Sequence, residues 1–188
     1  MRTLVLAGAL GALLTGGGAV GAVELLANGD FELPLDAGWS SEIDGTGVTI
    51  DRQINFDTDL DYEARITKTS GLGYGRVGQV VAVPGGDAVF SAELTSSADA
   101  ILEAWAVAGV MLTYYDTAGT PLGETFIGSL GGVCPWMDSP TFHMILTQTG
   151  VWETHAFALQ EELANLPGVD PGALASVRIA LYAYAYDC

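Results

Sequence analysis

The chain has 188 residues, 49% of them hydrophobic, and sets 23 Asp and Glu against 6 Lys and Arg for a formal net charge of −17. That length accommodates one domain with a proper core. The charge excludes nucleic acid and anionic membrane surfaces as partners, since both demand clustered Lys and Arg.

The chain opens on Met1-Arg2, an apolar run from Leu4 to Leu14, and a glycine-rich stretch ending in Val20-Gly21-Ala22. Small residues at both positions that precede a cleavage point predict a signal peptide over 1–22 and a mature domain over 23–188. The uncharged stretch from Thr3 to Val23 is long enough for an uncleaved anchor, but its six glycines favour cleavage. The expectation is a secreted protein, extracellular or periplasmic, with no membrane insertion after cleavage.

Short segments rich in Val, Ile, Thr and aromatics then alternate with Gly, Pro and Asp clusters, the pattern of an all-β domain. Strands are predicted near Val48 to Arg52, Tyr62 to Lys68, Gly75 to Val83, Ala88 to Thr95 and Ala104 to Tyr115. Others follow near Glu124 to Ile127, Thr141 to Thr147, Trp152 to Leu159 and Ser176 to Tyr186. Turns are expected at Pro84-Gly85-Gly86-Asp87, at Asp116 to Gly119, and from Ser129 to Pro135. Two helical pieces fit: Gln160 to Asn165, with Glu161 and Glu162 near its positive end, and one turn from Pro171 to Leu174.

Cys134 and Cys188 are the two cysteines. In an exported chain they are expected to form a disulfide, stabilising by roughly 4 kcal/mol in the chain-entropy account.

The last strand carries the sharpest binding signal. Its alternation puts Arg178, Ala180, Tyr182, Tyr184 and Tyr186 on one face, and Ile179, Leu181, Ala183 and Ala185 on the other. The second set suits the core between two sheets, so the tyrosines line the opposite face as an aromatic strip. The strand ending at Tyr115 divides in the same way, with Val110, Leu112 and Tyr114 inward, and Trp105 and Tyr115 outward. Aromatic faces stack on the C–H faces of sugar rings, Arg178 can donate to hydroxyls, and Gln79 is expected to add a polar contact. Tyrosines also favour strands for packing alone, which is the competing reading. Trp39 and Trp152 are assigned to structure, and Trp136 either caps the platform or packs against the disulfide.

Other motifs carry less. Gly73-Tyr74-Gly75-Arg76-Val77-Gly78 spells a dinucleotide fingerprint but precedes a strand, so no helix N-terminus awaits a phosphate. The run Asp57 to Glu63 has calcium-like spacing without the glycine and closing glutamate of an EF-hand loop. His143 and His155 fall on different predicted strands, and neither a GxSxG elbow nor an HExxH helix occurs. A glycosidase needs two carboxylates at a set separation; Glu93 and Glu103 are one arbitrary choice among many.

Several segments together resemble the family 4, 9 and 22 type of carbohydrate-binding module, which has a galactose-binding-like β-jelly-roll fold. Asn28-Gly29-Asp30-Phe31-Glu32 with Gly38-Trp39 resembles its opening strand, and Gly78 to Gly85 the strand and turn that follow. Phe90 to Leu94, Val110 to Asp116 with Gly119, Gly150-Val151-Trp152, and Ser176 to Leu181 are similar to later strands. Gly131 to Thr149 departs from the pattern, and so does the stop at Asp187-Cys188. The resemblance implies a two-sheet antiparallel β-sandwich, and a structural calcium held by Asp30, Glu32 and Asp187 between the opening motif and the last strand.

The reading is a secreted, non-catalytic module that binds a glycan or polysaccharide weakly, by a platform of Tyr182, Tyr184, Tyr186, Trp105 and Tyr115 with Arg178 and Gln79. The alternative is a structural or adhesive cell-envelope protein with protein partners. A polysaccharide-acting hydrolase stands third.

Overall fold

The computed structural model describes residues 6–11, 25–54, 62–83, 88–100 and 104–186. Two sheets face each other. One has the strand order β10-β6-β1-β4-β3, the other β2-β5-β11-β7-β8-β9. The strands are β1 (Leu6–Gly11), β2 (Ser40–Gly45), β3 (Val48–Ile54), β4 (Tyr62–Lys68), β5 (Gly73–Ala82) and β6 (Val89–Thr95). They continue as β7 (Trp105–Tyr115), β8 (Pro121–Gly132), β9 (Phe142–Leu146), β10 (Glu153–Ala158) and β11 (Ser176–Tyr186). The all-β sandwich expected from the sequence is therefore present. Its pairings are antiparallel except that β9 joins β8 in parallel.

Period-2 patterning is what separates core from surface. Along β11, Val177, Ile179, Leu181, Ala183 and Ala185 are buried, while Arg178, Tyr182 and Tyr184 on the opposite parity are only partly so. Across the gap they meet Ile66 of β4 and Phe90, Ala92 and Leu94 of β6 in one continuous core. Each fully buried large side chain of this kind contributes roughly 1.5–3 kcal/mol. Beneath one end of the sandwich lie α1 (Leu159–Leu163) and a 3-10 turn at Pro171–Ala173, both close to where the sequence predicts helix. α1 buries Leu159 and Leu163, and Leu166 just after it is buried as well.

β2 is not among the expected strands, and β8 continues through Ser129 to Gly132, where a turn is expected. Two further segments differ. Leu25 to Glu32 is a chain of turns and bends, not an opening strand. Asn28 and Phe31 both adopt positive φ there, 54° and 56°. Asn28 holds the turn: its Nδ2 donates to the carbonyls of Leu33 and Pro34, and its Oδ1 accepts from the Leu33 amide at 2.8 Å. Trp39, buried as predicted, donates its indole N–H to the Asn28 carbonyl and packs its ring 5.0 Å from that of Phe31.

The second difference is at the beginning. Residues 6–11, inside the expected signal peptide, form β1 between β4 and β6, with Leu6 opposite Ile66 and Ala9 opposite Glu93. An apolar run of small residues is a signal-peptide core and also a strand that fits between two others, and sequence alone does not discriminate the two. Among the described residues no helix is long and apolar enough to cross a membrane.

Candidate functional site

The outer face of the six-stranded sheet is where chemistry gathers. Register places Tyr186 opposite Trp105, Tyr184 opposite Val107, Tyr182 opposite Gly109, and Arg178 opposite Thr113. On the other side of β11, Tyr182 faces Arg76 and Tyr184 faces Tyr74. In antiparallel partners side chains share a face, so Tyr182, Tyr184, Tyr186, Trp105, Tyr115 and Arg178 all project outward together, as the alternation predicts.

Their rings form a connected surface. Trp105 stacks on Tyr184 at 4.8 Å and on Tyr186 at 5.9 Å, and Tyr74 stacks on Tyr182 at 5.9 Å. Trp136, on the loop after β8, bridges the two groups, with its ring 6.1 Å from both Trp105 and Tyr182. Phe126 and Phe142 pack edge-on against the same indole at 5.3 and 5.4 Å. The floor is kept flat where Gly109 and Gly128 face one another on β7 and β8. A Cβ on either would stand 2.8 Å from the ring of Phe126.

Beside this surface opens a cavity of about 450 Å³, lined by Arg76, Glu124, Trp136, Phe142, Arg178 and Tyr182 among others. Size and lining suit a small polar ligand or one segment of a longer one. Two charged clusters flank it. On one side Arg76 pairs with Glu42 of β2, its Nε donating to Oε2 at 2.9 Å, and the Tyr74 hydroxyl donates to the same carboxylate. Those two contacts, the tyrosine's first, hold the Glu42 carboxyl below its ordinary range. The same bond pushes the Tyr74 phenol up.

On the other side Arg178 Nη2 donates to Thr113 Oγ1 at 3.0 Å, and that hydroxyl donates to Glu124 Oε1 at 2.9 Å. The guanidinium also lies 5.8 Å from the centre of the Tyr115 ring. Its Nε is buried with no hydrogen-bond partner. A buried donor without an acceptor is costly, and here it belongs to a residue lining the cavity. Burial raises the Tyr182 phenol well above the usual range and raises that of Tyr184 as well, so both are neutral hydroxyls at physiological pH.

Gln79 does not join the platform. It is opposite Ile179 and shares the inward parity of Val77 and Val81, so its side chain turns toward the opening loop. There it brackets Ala27, accepting from the amide at 2.8 Å and donating to the carbonyl at 3.0 Å. Cys134 has no disulfide partner among the described residues, and burial raises its thiol pKa. Cys188, its expected partner, lies outside the described residues. So do Asp187, Glu103 and most of the acidic run from Asp57 to Glu63, of which Tyr62 and Glu63 are described.

Sequence reasoning did not find Arg76, Glu42, Tyr74, Thr113, Glu124 and Phe142 as parts of the site. Parity puts each on a face, but only the pairing of β11 with β5 and β7, and of β2, β8 and β9 beyond them, brings them together. The two histidines stay apart in different sheets. His143 Nδ1 is 2.6 Å from Glu162 Oε1, and His155 Nε2 is 3.4 Å from Glu153. Among the described residues no three His, Cys, Asp or Glu gather into a metal centre. Glu93, on β6, is in the other sheet.

No protein-family profile matches the sequence, and no curated protein matches it. Two solved structures are similar in fold. One is the enzymatically active domain of tailspike protein 4 of bacteriophage CBA120, at 13% identity and a TM-score of 0.46, covering 87% of this chain. The chain spans only 19% of that tailspike chain. The other is a family 11 carbohydrate-binding module from Clostridium thermocellum, solved with a β-1,3-1,4-mixed-linked tetrasaccharide. It is 15% identical with a TM-score of 0.36, over 95% of this chain and 94% of that one.

Proposed function

We propose that the outer face of the six-stranded sheet binds a neutral glycan chain without catalysing its cleavage. One observation carries the reading: stacked rings of Trp105, Tyr184 and Tyr186 lie on the same sheet face as a cavity lined by Trp136, Tyr182 and Arg178. Hydroxyl oxygens of a sugar can accept from the guanidinium of Arg178. The rings of Tyr184, Tyr186 and Trp105 offer flat apolar surfaces to the ring faces, and Tyr182, held between Trp136 and Tyr74, walls the cavity. The residues from Tyr182 to Tyr186 extend the platform about 14 Å along β11, at roughly 3.4 Å per residue, which suits a run of sugars better than a single one.

Charge narrows the ligand. Arg76 is neutralised by Glu42, and Arg178 is linked through Thr113 to Glu124, so neither cluster presents a bare positive charge. A net charge of −17 repels polyanions at long range. Neutral polysaccharides fit and acidic ones do not.

Carboxylate placement speaks against hydrolysis. Glu124 is the carboxylate lining the cavity among the described residues, and Glu42 is on the same face. Four strand spacings separate β2 from β8, about 19 Å at roughly 4.8 Å each. Glycosidase pairs sit about 5–9.5 Å apart.

The test is affinity electrophoresis of the purified protein through gels containing soluble neutral and acidic polysaccharides, with Tyr184→Ala alongside. Retardation by a neutral polysaccharide that weakens in the folded variant supports the reading. Retardation only by polyanions, or by nothing, contradicts it.

A further inference from the structure

The resemblance drawn from the opening motif implies a calcium at Asp30, Glu32 and Asp187. Asp187 lies outside the described residues, and one carboxylate oxygen of each of the other two, with the neighbouring carbonyls, is already engaged. Asp30 Oδ1 accepts from the Glu32 amide at 3.2 Å. Glu32 Oε1 accepts from the Tyr62 amide at 3.3 Å. The carbonyl of Phe31 accepts from Arg52 Nε, and that of Glu32 accepts from Arg52 Nη2 at 2.6 Å. Calcium needs about six to eight oxygen ligands, and a guanidinium stands among the ones this loop offers.

We infer that Arg52 is the fixed cation of the opening loop, holding with its own guanidinium the carbonyls of Phe31 and Glu32 beside the two carboxylates that the resemblance would give to a metal ion. Three features fit that role. The guanidinium is planar and presents adjacent donors, so two neighbouring carbonyls are gripped at once. It is pinned from the far side, with Cζ 3.1 Å from the centre of the Tyr62 ring, in a cation–π contact that places its charge. It also serves the strained part of the loop, because Phe31, whose carbonyl it takes, has a φ of 56° and is fully buried. Without a donor that carbonyl has no reason to stay turned as it is.

The fold uses the same device a second time. Lys68, 4% exposed, sends its ammonium to the carbonyls of Thr46, Ser70 and Gly71, at 2.6 Å and 2.7 Å for the first and last. In both places backbone oxygens converge on a side-chain cation, in a chain with only 6 Lys and Arg. Scarce positive charge is spent on closing loops.

The inference is tested on the full chain with calcium alone as the probe. Calorimetric titration with calcium should give no binding heat, and melting curves in calcium and in chelator should superimpose. Arg52→Gln should melt about 4 °C or more lower in both conditions. Should that variant fail to fold, Arg52→Lys keeps the charge, loses the fork, and is expected to melt between the two. Calcium that binds the unaltered protein and raises its melting temperature, with both effects lost in Asp30→Asn, overturns the inference. So does Arg52→Gln melting as the unaltered protein does.

Discussion

Arg178 and Thr113 face each other across β11 and β7, and the 3.0 Å bond from Nη2 to Oγ1 holds the guanidinium at the cavity wall, with its Nε buried and without an acceptor. The threonine hydroxyl does two jobs, accepting from Arg178 and donating to Glu124. Thr113→Val removes both. Its expected effect is a loss of glycan affinity of about tenfold, near 1.4 kcal/mol, together with a lower ligand-free melting temperature, since buried Thr113 partners two charged groups. Calorimetric titration against the polysaccharide selected by electrophoresis checks it.

The stacked rings give an optical readout. Trp105 lies against both Tyr184 and Tyr186, and Trp136 against Tyr182. A sugar laid on this surface should shift the tryptophan emission, and the shift should shrink in Trp105→Phe. Tyr186, 46% exposed at the strand end, should cost less affinity when changed to alanine than Tyr182, whose ring is enclosed by Trp136 and Tyr74. Equal losses would mean the cavity end of the platform has no special part.

A buried polar network makes a stability prediction independent of ligand. Glu162 Oε1 accepts from Thr125 Oγ1 at 2.8 Å and lies 2.6 Å from His143 Nδ1, while Asn165 donates to Oε2 at 3.1 Å. Thr125 in turn meets the fully buried hydroxyl of Tyr114 at 3.0 Å. Glu162→Ala strands several of these groups at once. The expected loss is about 3 kcal/mol, read from the urea midpoint, with glycan binding of the folded fraction intact.

Alkaline titration follows from the tyrosines. Burial raises the phenols of Tyr114 and Tyr182, and the Glu42 carboxylate raises that of Tyr74. A phenol whose folded pKa lies above its unfolded value of 10.0 stabilises the fold fully below that pH. The contribution is then lost as pH climbs toward the folded value. Ultraviolet absorbance should show only part of the 7 tyrosines ionising near 10, the rest appearing with unfolding. Ionisation of all of them in one step with the fold intact would contradict the packing described.

The first strand gives a fifth test. β1 pairs with both β4 and β6, so a chain that starts at Val23 presents two unpaired strand edges inside the five-stranded sheet. Compared with the full chain, it should melt lower and self-associate as concentration rises in size-exclusion chromatography. An unchanged, monomeric, equally stable product would remove β1 from the folded domain.

What the sequence made legible was whatever period 2 controls. The parity of Ser176 to Tyr186 and of Trp105 to Tyr115 placed six aromatic and cationic side chains on one face. The same rule puts Gln79 inward with Val77 and Val81, against its expected place on the platform. Arg76 and Glu42 could not be read, since their meeting depends on which strands are neighbours, and β2, with all six residues exposed, has no apolar alternation to announce it. The opening loop misled for a different reason. Its Leu25 and Leu26 look strand-like, while the side-chain bonds of Asn28 turn the chain within three residues. Trp136 took neither of its two expected roles in pure form: it walls the cavity, and packs on Phe126 and Phe142 with no disulfide beside it in the described residues.

The most direct measurement is calorimetric titration of one neutral polysaccharide into the unaltered protein and into Arg178→Gln, both shown to be folded by their near-ultraviolet circular dichroism. Removing a charged donor should weaken binding by about ten- to a hundredfold, the equivalent of roughly 1.5–3 kcal/mol. Equal affinity of the two proteins would place the glycan elsewhere and contradict the account.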